Sequence, residues 1–201
     1  MHYTFPSQFV YWEKVENHQE LKDKYLNLIL DDVSKNSKEY RTNSHWNCDV
    51  ISSYFASSQK NNKEIFDNYF IDSVIKKPIE NCIEELQLPA PKNILIQSLW
   101  YNVYKKNDYQ EVHDHLGPNY TAFSGIYILD LVGKNNTHFF SPGHVPDSSR
   151  FGHHFKGNHL EEGDVIIFPA SLLHYVSPCE TNKVSVSFNV GTEYNLYEKR
   201  P

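Results

Sequence analysis

Three histidines and a lysine are the residues here whose types and spacing could do chemistry. His113-Asp114-His115 follows a β-like run and ends in the turn residues Leu-Gly-Pro-Asn119. In a strand, side chains at i and i+2 share a face, so His113 and His115 point one way and Asp114 the other. Two imidazoles on one face form a metal-ligand pair. A third ligand must come from elsewhere, and His174, 59 residues beyond His115 in Phe168-Pro-Ala-Ser-Leu-Leu-His174, is the candidate. Lys183 lies nine residues further on, across a turn at 177–182, at the head of Lys183-Val-Ser185-Val-Ser187-Phe-Asn189. Alternation sends Lys183, Ser185 and Ser187 to one face. A buried cation with hydroxyls beside it can hold the far end of a dicarboxylate, which otherwise has no reason to enter an apolar barrel.

Iron(II) that activates oxygen needs few protein ligands, all on one side, because cosubstrate and oxygen occupy the rest. The usual set is two histidines and one carboxylate. A close histidine pair plus a distant histidine is what a double-stranded β-helix supplies, since its two sheets bring those strands together at one open end. The elements that must do this positioning are readable in outline. Residues 17–36 place Leu21, Tyr25, Leu28, Ile29 and Val33 at helical spacing after the cap Asn17-His-Gln-Glu20. Residues 37–61 read as loop. A second helical segment begins near Asn62, and Pro78 inside it predicts a kink or break.

Pro89-Ala-Pro91 then marks a change of period. Residues 93–104 form a long β-branched and aromatic run, followed by strand-like runs at 120–132, 137–140, 164–168 with its continuation at 172–176, and 183–191. Gly, Pro and Asn turns separate them. The expectation is an α+β fold: a double-stranded β-helix, or cupin-like jelly roll, with the N-terminal helices packed on one sheet. The chain reads as one domain over 1–201, with a mainly helical part at 1–91, the jelly-roll core at 92–191 and a tail at 192–201. The stretch 142–159, with His144, His153, His154 and His159, reads as a functional loop or lid.

Composition narrows the partners. At 201 residues and 39% hydrophobic content, a sizeable core is available. A net charge of -6 and no dense basic cluster argue against nucleic acid and anionic lipid. Cys48, Cys82 and Cys179 lack CxxC spacing, which argues against a disulfide framework or a thiolate zinc site. No window resembles a secretion signal or a span, so a cytoplasmic protein without a membrane partner is expected. Oligomeric state is not encoded in any of these features.

With these residues assembled, the sequence resembles the iron(II)/2-oxoglutarate-dependent oxygenases, in a prolyl hydroxylase-like subgroup. The resemblance rests on His113-Asp-His115, Ser124-Gly-Ile-Tyr127, Gly163-Asp-Val-Ile-Ile-Phe168-Pro169, His174 and Lys183-Val-Ser-Val-Ser-Phe-Asn189, in order, over roughly residues 95–191. It implies a jelly-roll core holding iron(II) near its open end and 2-oxoglutarate bound to that iron through its keto acid. The far carboxylate would meet Lys183, helped by Ser185 or Ser187. It further implies a cosubstrate contact at Tyr104, an apolar wall from Ile126 and Ile128, and oxygen as oxidant with ascorbate as possible support. The expected reaction is oxidative decarboxylation to succinate and carbon dioxide, coupled to hydroxylation of a substrate, with a peptidyl or prolyl residue as first choice.

Two departures from the family pattern matter. The third position of His-x-Asp or His-x-Glu is His115 here, so the site has either three histidines or Asp114 as the carboxylate in place of His115. Lys183 stands where arginine is commoner, which keeps a charge but loses a bidentate fork. Two other readings stay open: a cupin-like metal-binding barrel that holds a small acid or sugar without oxygenase activity, and a structural protein that kept the fold and lost the chemistry.

Overall fold

The computed structural model describes residues 8–36, 38–40, 48–55, 65–117, 121–142 and 152–193. The periodic Leu21, Tyr25 and Ile29 form the buried stripe of helix α1 (His18–Asn36). The second helical stretch has three parts: a turn of α-helix, α2 (Asn68–Phe70), a π-helical segment Ile71–Lys76, and α3 (Lys77–Glu85). Asp67 caps its start by accepting the Phe70 N–H at 3.1 Å, and the expected start at Asn62 lies outside the described residues. The break expected at Pro78 takes the form of that π-helical segment, one turn earlier, and Pro78 sits in the first turn of α3. A wider i→i+5 turn relieves the clash between a proline ring and the carbonyl four residues back.

Eleven strands among the described residues make two antiparallel sheets. They are β1 (Tyr11–Lys14), β2 (Cys48–Asp49), β3 (Ile51–Ser52), β4 (Asn93–Tyr104), β5 (Tyr109–His113), β6 (Phe123–Leu131), β7 (Thr137–Pro142), β8 (Gly152–Lys156), β9 (Asp164–Pro169), β10 (Leu173–Val176) and β11 (Lys183–Glu193). Sheet one runs β1-β9-β6-β11-β4-β3 and sheet two β2-β5-β10-β7-β8. Two expectations change. Residues 48–55, read as loop, hold β2, β3 and a 3-10 turn at Ser53–Phe55, each too short to show a period. The run 172–176 is no continuation of 164–168: the chain turns through Ala170 to Leu172 and passes from sheet one to sheet two.

Alternation along β11 divides the interior. Val184, Val186, Phe188 and Val190 join the helices in the larger core, with Leu21, Phe70, Ile79 and Tyr127. The opposite face carries Lys183, Ser185 and Ser187 toward sheet two, where Ile128, Phe139, Ile166 and Phe168 form a smaller apolar cluster beside a polar cavity. No helix among the described residues is long and apolar enough to cross a membrane.

Gly125 lies opposite Phe188 in the β6–β11 ladder. A Cβ there would overlap the Phe188 ring, whose third-nearest atom would stand at 2.7 Å. Gly125→Ala is expected to cost about 3 kcal/mol through overpacking, lowering the melting temperature by about 10 °C in a thermal melt.

Candidate active site

The crossing from β9 to β10 assembles the site. His174 on β10 stands directly opposite His113 on β5. His115 lies just past the end of β5, where its backbone N–H donates to the Ala170 carbonyl at 2.8 Å. The imidazole centroids are 4.2 Å apart for His113 and His174, 4.9 Å for His115 and His174, and 5.4 Å for His113 and His115. One nitrogen from each ring lies within 4.8 Å of the others, the one such cluster found among the described residues.

In each ring Nδ1 is committed to a neutral acceptor. His113 donates to the Glu111 carbonyl at 2.7 Å, His174 to the Leu172 carbonyl at 3.2 Å, and His115 to Asn189 Oδ1 at 2.7 Å. That assignment makes Nε2 the lone-pair donor of each neutral imidazole. Protonation is opposed as well. Burial, then the His113 charge, pushes His115 down to about 4, and burial with both neighbouring imidazoles holds His174 well below the usual histidine range. Burial lowers His113 too. Three buried imidazoles kept neutral and converging on one point fit a divalent transition ion.

Asp114 does not share this point. It is exposed, and its Oδ1 accepts the Leu116 N–H at 3.0 Å, a local turn that faces the carboxylate away from the imidazoles. Asp114 turns aside although β5 itself stops at His113. Asp114→Ala is expected to leave metal affinity within about twofold by calorimetric titration, as for an exposed side chain outside the site.

Lys183 is 2% exposed. Its Nζ donates to Thr137 Oγ1 at 3.0 Å and Asn135 Oδ1 at 3.4 Å and lies 4.6 Å from the centre of the Tyr104 ring. No carboxylate pairs with it among the described residues, and burial pushes it down to about 8. A buried cation without a counter-ion is suited to receive an anion. Ser185 and Ser187 line the cavity beside the imidazoles, as does Ile126, whereas Ile128 packs into the inter-sheet cluster. Tyr104 is buried and donates to Gln110 Oε1 at 2.9 Å.

Sequence reasoning passed over several residues here. Asn102 lines the cavity, donates from Nδ2 to Ser187 Oγ at 3.1 Å, and has a buried Oδ1 with no partner. It stands two residues before Tyr104 in the same β run, so parity alone could have found it. Asn189 and Ser124, the latter donating to Asn189 Oδ1 at 2.8 Å, orient His115 from neighbouring strands. The histidine-rich stretch 142–159 is part strand: β8 and a 3-10 turn at Gly157–His159. His154 and His159 pack on Tyr175 and Trp12 away from the cluster, while His144 and the His153 side chain lie outside the described residues.

A family model described as "Putative 2OG-Fe(II) oxygenase" matches residues 98–189, a span holding all three histidines and Lys183. Over that span, a little under half of the chain, the sequence carries the pattern of the iron(II)/2-oxoglutarate oxygenases. The protein is accordingly an enzyme of the iron(II)- and 2-oxoglutarate-dependent class. No curated protein matches its sequence. Solved structures resemble this oxygenase in fold. A prolyl-4-hydroxylase from Pseudomonas putida has a TM-score of 0.62 at 10% identity, covering 93% of this chain and 94% of that one. The carbocyclase SnoK from nogalamycin biosynthesis has a TM-score of 0.62 at 11% identity, covering 95% and 84%. A Trichoplax adhaerens prolyl hydroxylase, in complex with a hypoxia inducible factor peptide fragment, has a TM-score of 0.57 at 8% identity, covering 91% and 83%.

Proposed function

We propose that the protein is a hydroxylase of this class, acting on a peptidyl or prolyl residue, and that His113, His115 and His174 hold its iron(II). The two sheets then form a double-stranded β-helix, within a single domain over 1–201 that includes the helical part. Lys183 takes the far carboxylate of 2-oxoglutarate, with Tyr104 and the hydroxyls of Ser185 or Ser187 beside it. The observation that carries the reading is the buried, acid-free Lys183, bonded to Thr137 and set against the Tyr104 ring, two residues that line one cavity together with the imidazole cluster.

Iron(II) held by His113, His115 and His174 would supply oxidation of a substrate C–H bond by O2, one oxygen atom going to the substrate and the other to 2-oxoglutarate, which would leave as succinate and carbon dioxide. The chain's own part is positional. Three neutral imidazoles from one side leave the opposite side to cosubstrate and oxygen. Neither they nor their Nδ1 acceptors bring negative charge, so the dianionic cosubstrate supplies the compensation for metal and Lys183 alike. The Phe168 ring, 4.8 Å from His174, and the buried Ile126 exclude water. The two prolyl hydroxylases of like fold, one solved with a peptide, support a peptidyl substrate. The carbocyclase of like fold is why the substrate needs its own test. A reducing, cytoplasmic setting suits Cys48, Cys82 and Cys179, none of which is in a disulfide among the described residues.

The test is release of labelled carbon dioxide from 2-oxoglutarate with iron(II) and ascorbate, against His174→Ala. Iron-dependent succinate is expected in the wild type and not in the variant. No succinate, with or without proline-containing peptides, would sink the hydroxylase reading. Three histidines also suit zinc; tight zinc and no affinity for the keto acid would favour the cupin-like binder.

A further inference from the structure

β4 and β11 set a depth scale across the cavity. Lys183 lies opposite Tyr104, Ser185 opposite Asn102, Ser187 opposite Trp100 and Asn189, the partner of His115, opposite Ser98. Tyr104 and Trp100 share a face four residues apart, about 13 Å along an extended strand. The anion-holding end is therefore at Tyr104, and Trp100 stands at the other end, its ring 5.5 Å from that of His115. Beyond it comes Tyr54 of the 3-10 turn, 5.1 Å from Trp100 and 46% exposed, against 7% for Trp100. His115, Trp100 and Tyr54 thus form an unbroken aromatic wall from the imidazole cluster to solvent.

We propose that Trp100 and Tyr54 are the specificity-determining wall against which the substrate's reacting residue packs, and that this residue is uncharged and apolar, an aliphatic ring or chain. The proposal rests on the oxygenase reading of the site. Aromatic faces attract two kinds of group, apolar CH-rich surfaces and cations. Charge decides between them. Among the described residues lining the cavity there is no Asp or Glu, so a cationic side chain entering it would lose its water and find no counter-ion. An anionic side chain would compete with the cosubstrate for the same positive groups. A prolyl ring satisfies the wall with neither cost.

Calorimetric titration and steady-state assays with the full chain, iron(II) and 2-oxoglutarate test this, using peptides identical except for a central proline, leucine, lysine or glutamate. The proline and leucine peptides are expected to bind at least tenfold tighter than the charged pair, the scale of one unpaired charge near a buried site. Tyr54→Ala should raise the KM for the proline peptide about tenfold while the KM for 2-oxoglutarate moves far less, the effect of losing one aromatic face. Trp100→Phe, which keeps a ring, should retain most affinity, and Trp100→Ala should raise succinate formed per peptide hydroxylated. Peptide affinity unchanged in Tyr54→Ala and Trp100→Ala, or equal for lysine and proline peptides, would overturn the wall while leaving the oxygenase reading intact. Failure of the wild type to consume 2-oxoglutarate under any condition would overturn both.

Discussion

Lys183→Met is expected to stabilise the ligand-free protein while abolishing tight binding of 2-oxoglutarate. Lys183 is fully enclosed, and burial lowers it from 10.5 to about 8. Below about 8 both folded and unfolded chains hold the proton, so folding carries the whole cost of burying the charge, about 3 kcal/mol for that shift. Between about 8 and 10.5 the unfolded chain binds a proton that the folded one lacks, so wild-type stability rises with pH across that window. Methionine removes the cost and the rise together, though the loss of the Tyr104 contact returns about 1 kcal/mol. Chemical denaturation at pH 7 and pH 10 measures this: the variant should be the more stable at pH 7, with the gap closing at pH 10.

Cosubstrate affinity should move the opposite way. Removing one partner of a buried charge pair costs about 2–5 kcal/mol, so the dissociation constant for 2-oxoglutarate should rise by about a hundredfold or more. In the wild type that constant should also rise as pH passes about 8 in the free protein, because the anion binds the protonated lysine. A Met variant that is less stable at pH 7 and binds 2-oxoglutarate normally would mean that Lys183 is a structural residue.

His115→Ala is expected to weaken iron(II) binding about a hundredfold and to stop turnover. Four-ligand structural zinc sites bind with about 10–16 kcal/mol, or roughly 3 kcal/mol for each ligand. The fold should survive, because Asn189 Oδ1 keeps its bond from Ser124 and the backbone N–H of residue 115 keeps Ala170. His115→Asp places the commoner carboxylate at the same position and should recover much of the metal affinity. It also adds one negative charge to the site, so 2-oxoglutarate should bind more weakly than in the wild type. Metal titration by calorimetry, beside a thermal melt, separates ligand loss from unfolding. Unaltered iron affinity in His115→Ala would return the third ligand position to some other group.

The family motifs acquire physical reasons in the structure. In Ser124-Gly-Ile-Tyr127, the serine steadies Asn189, the glycine admits the Phe188 ring, and the tyrosine hydroxyl meets His18 Nδ1 of α1 at 2.7 Å. In Lys183-Val-Ser-Val-Ser-Phe-Asn189, Ser185 and Ser187 face the cavity and Phe188 fills the space over Gly125. Glu161-Glu-Gly-Asp164 is a turn closed by the Asp164 N–H on the Glu161 carbonyl, and Gly163 takes the positive φ of 88° it requires.

What the sequence by itself determined is everything that depends on local periodicity and residue type. It set His113 and His115 on one side and Asp114 on the other, because side chains of an extended backbone alternate whatever surrounds them. It put Lys183, Ser185 and Ser187 on one face for the same reason, and the spacing of Leu21, Tyr25 and Ile29 made a helix stripe. The short strands β2 and β3 were illegible because two residues carry no period and are extended only by pairing with β5 and β4. Only the tertiary structure decided that the chain crosses sheets between β9 and β10, the step that sets His174 opposite His113. It alone showed Lys183 enclosed without an acid, since that depends on what every neighbouring strand fails to supply. His115, which the sequence left open against Asp114 as the third ligand, is held beside the other two imidazoles by an amide 74 residues away. Contacts of that range depend on strand order and register, which no local pattern carries.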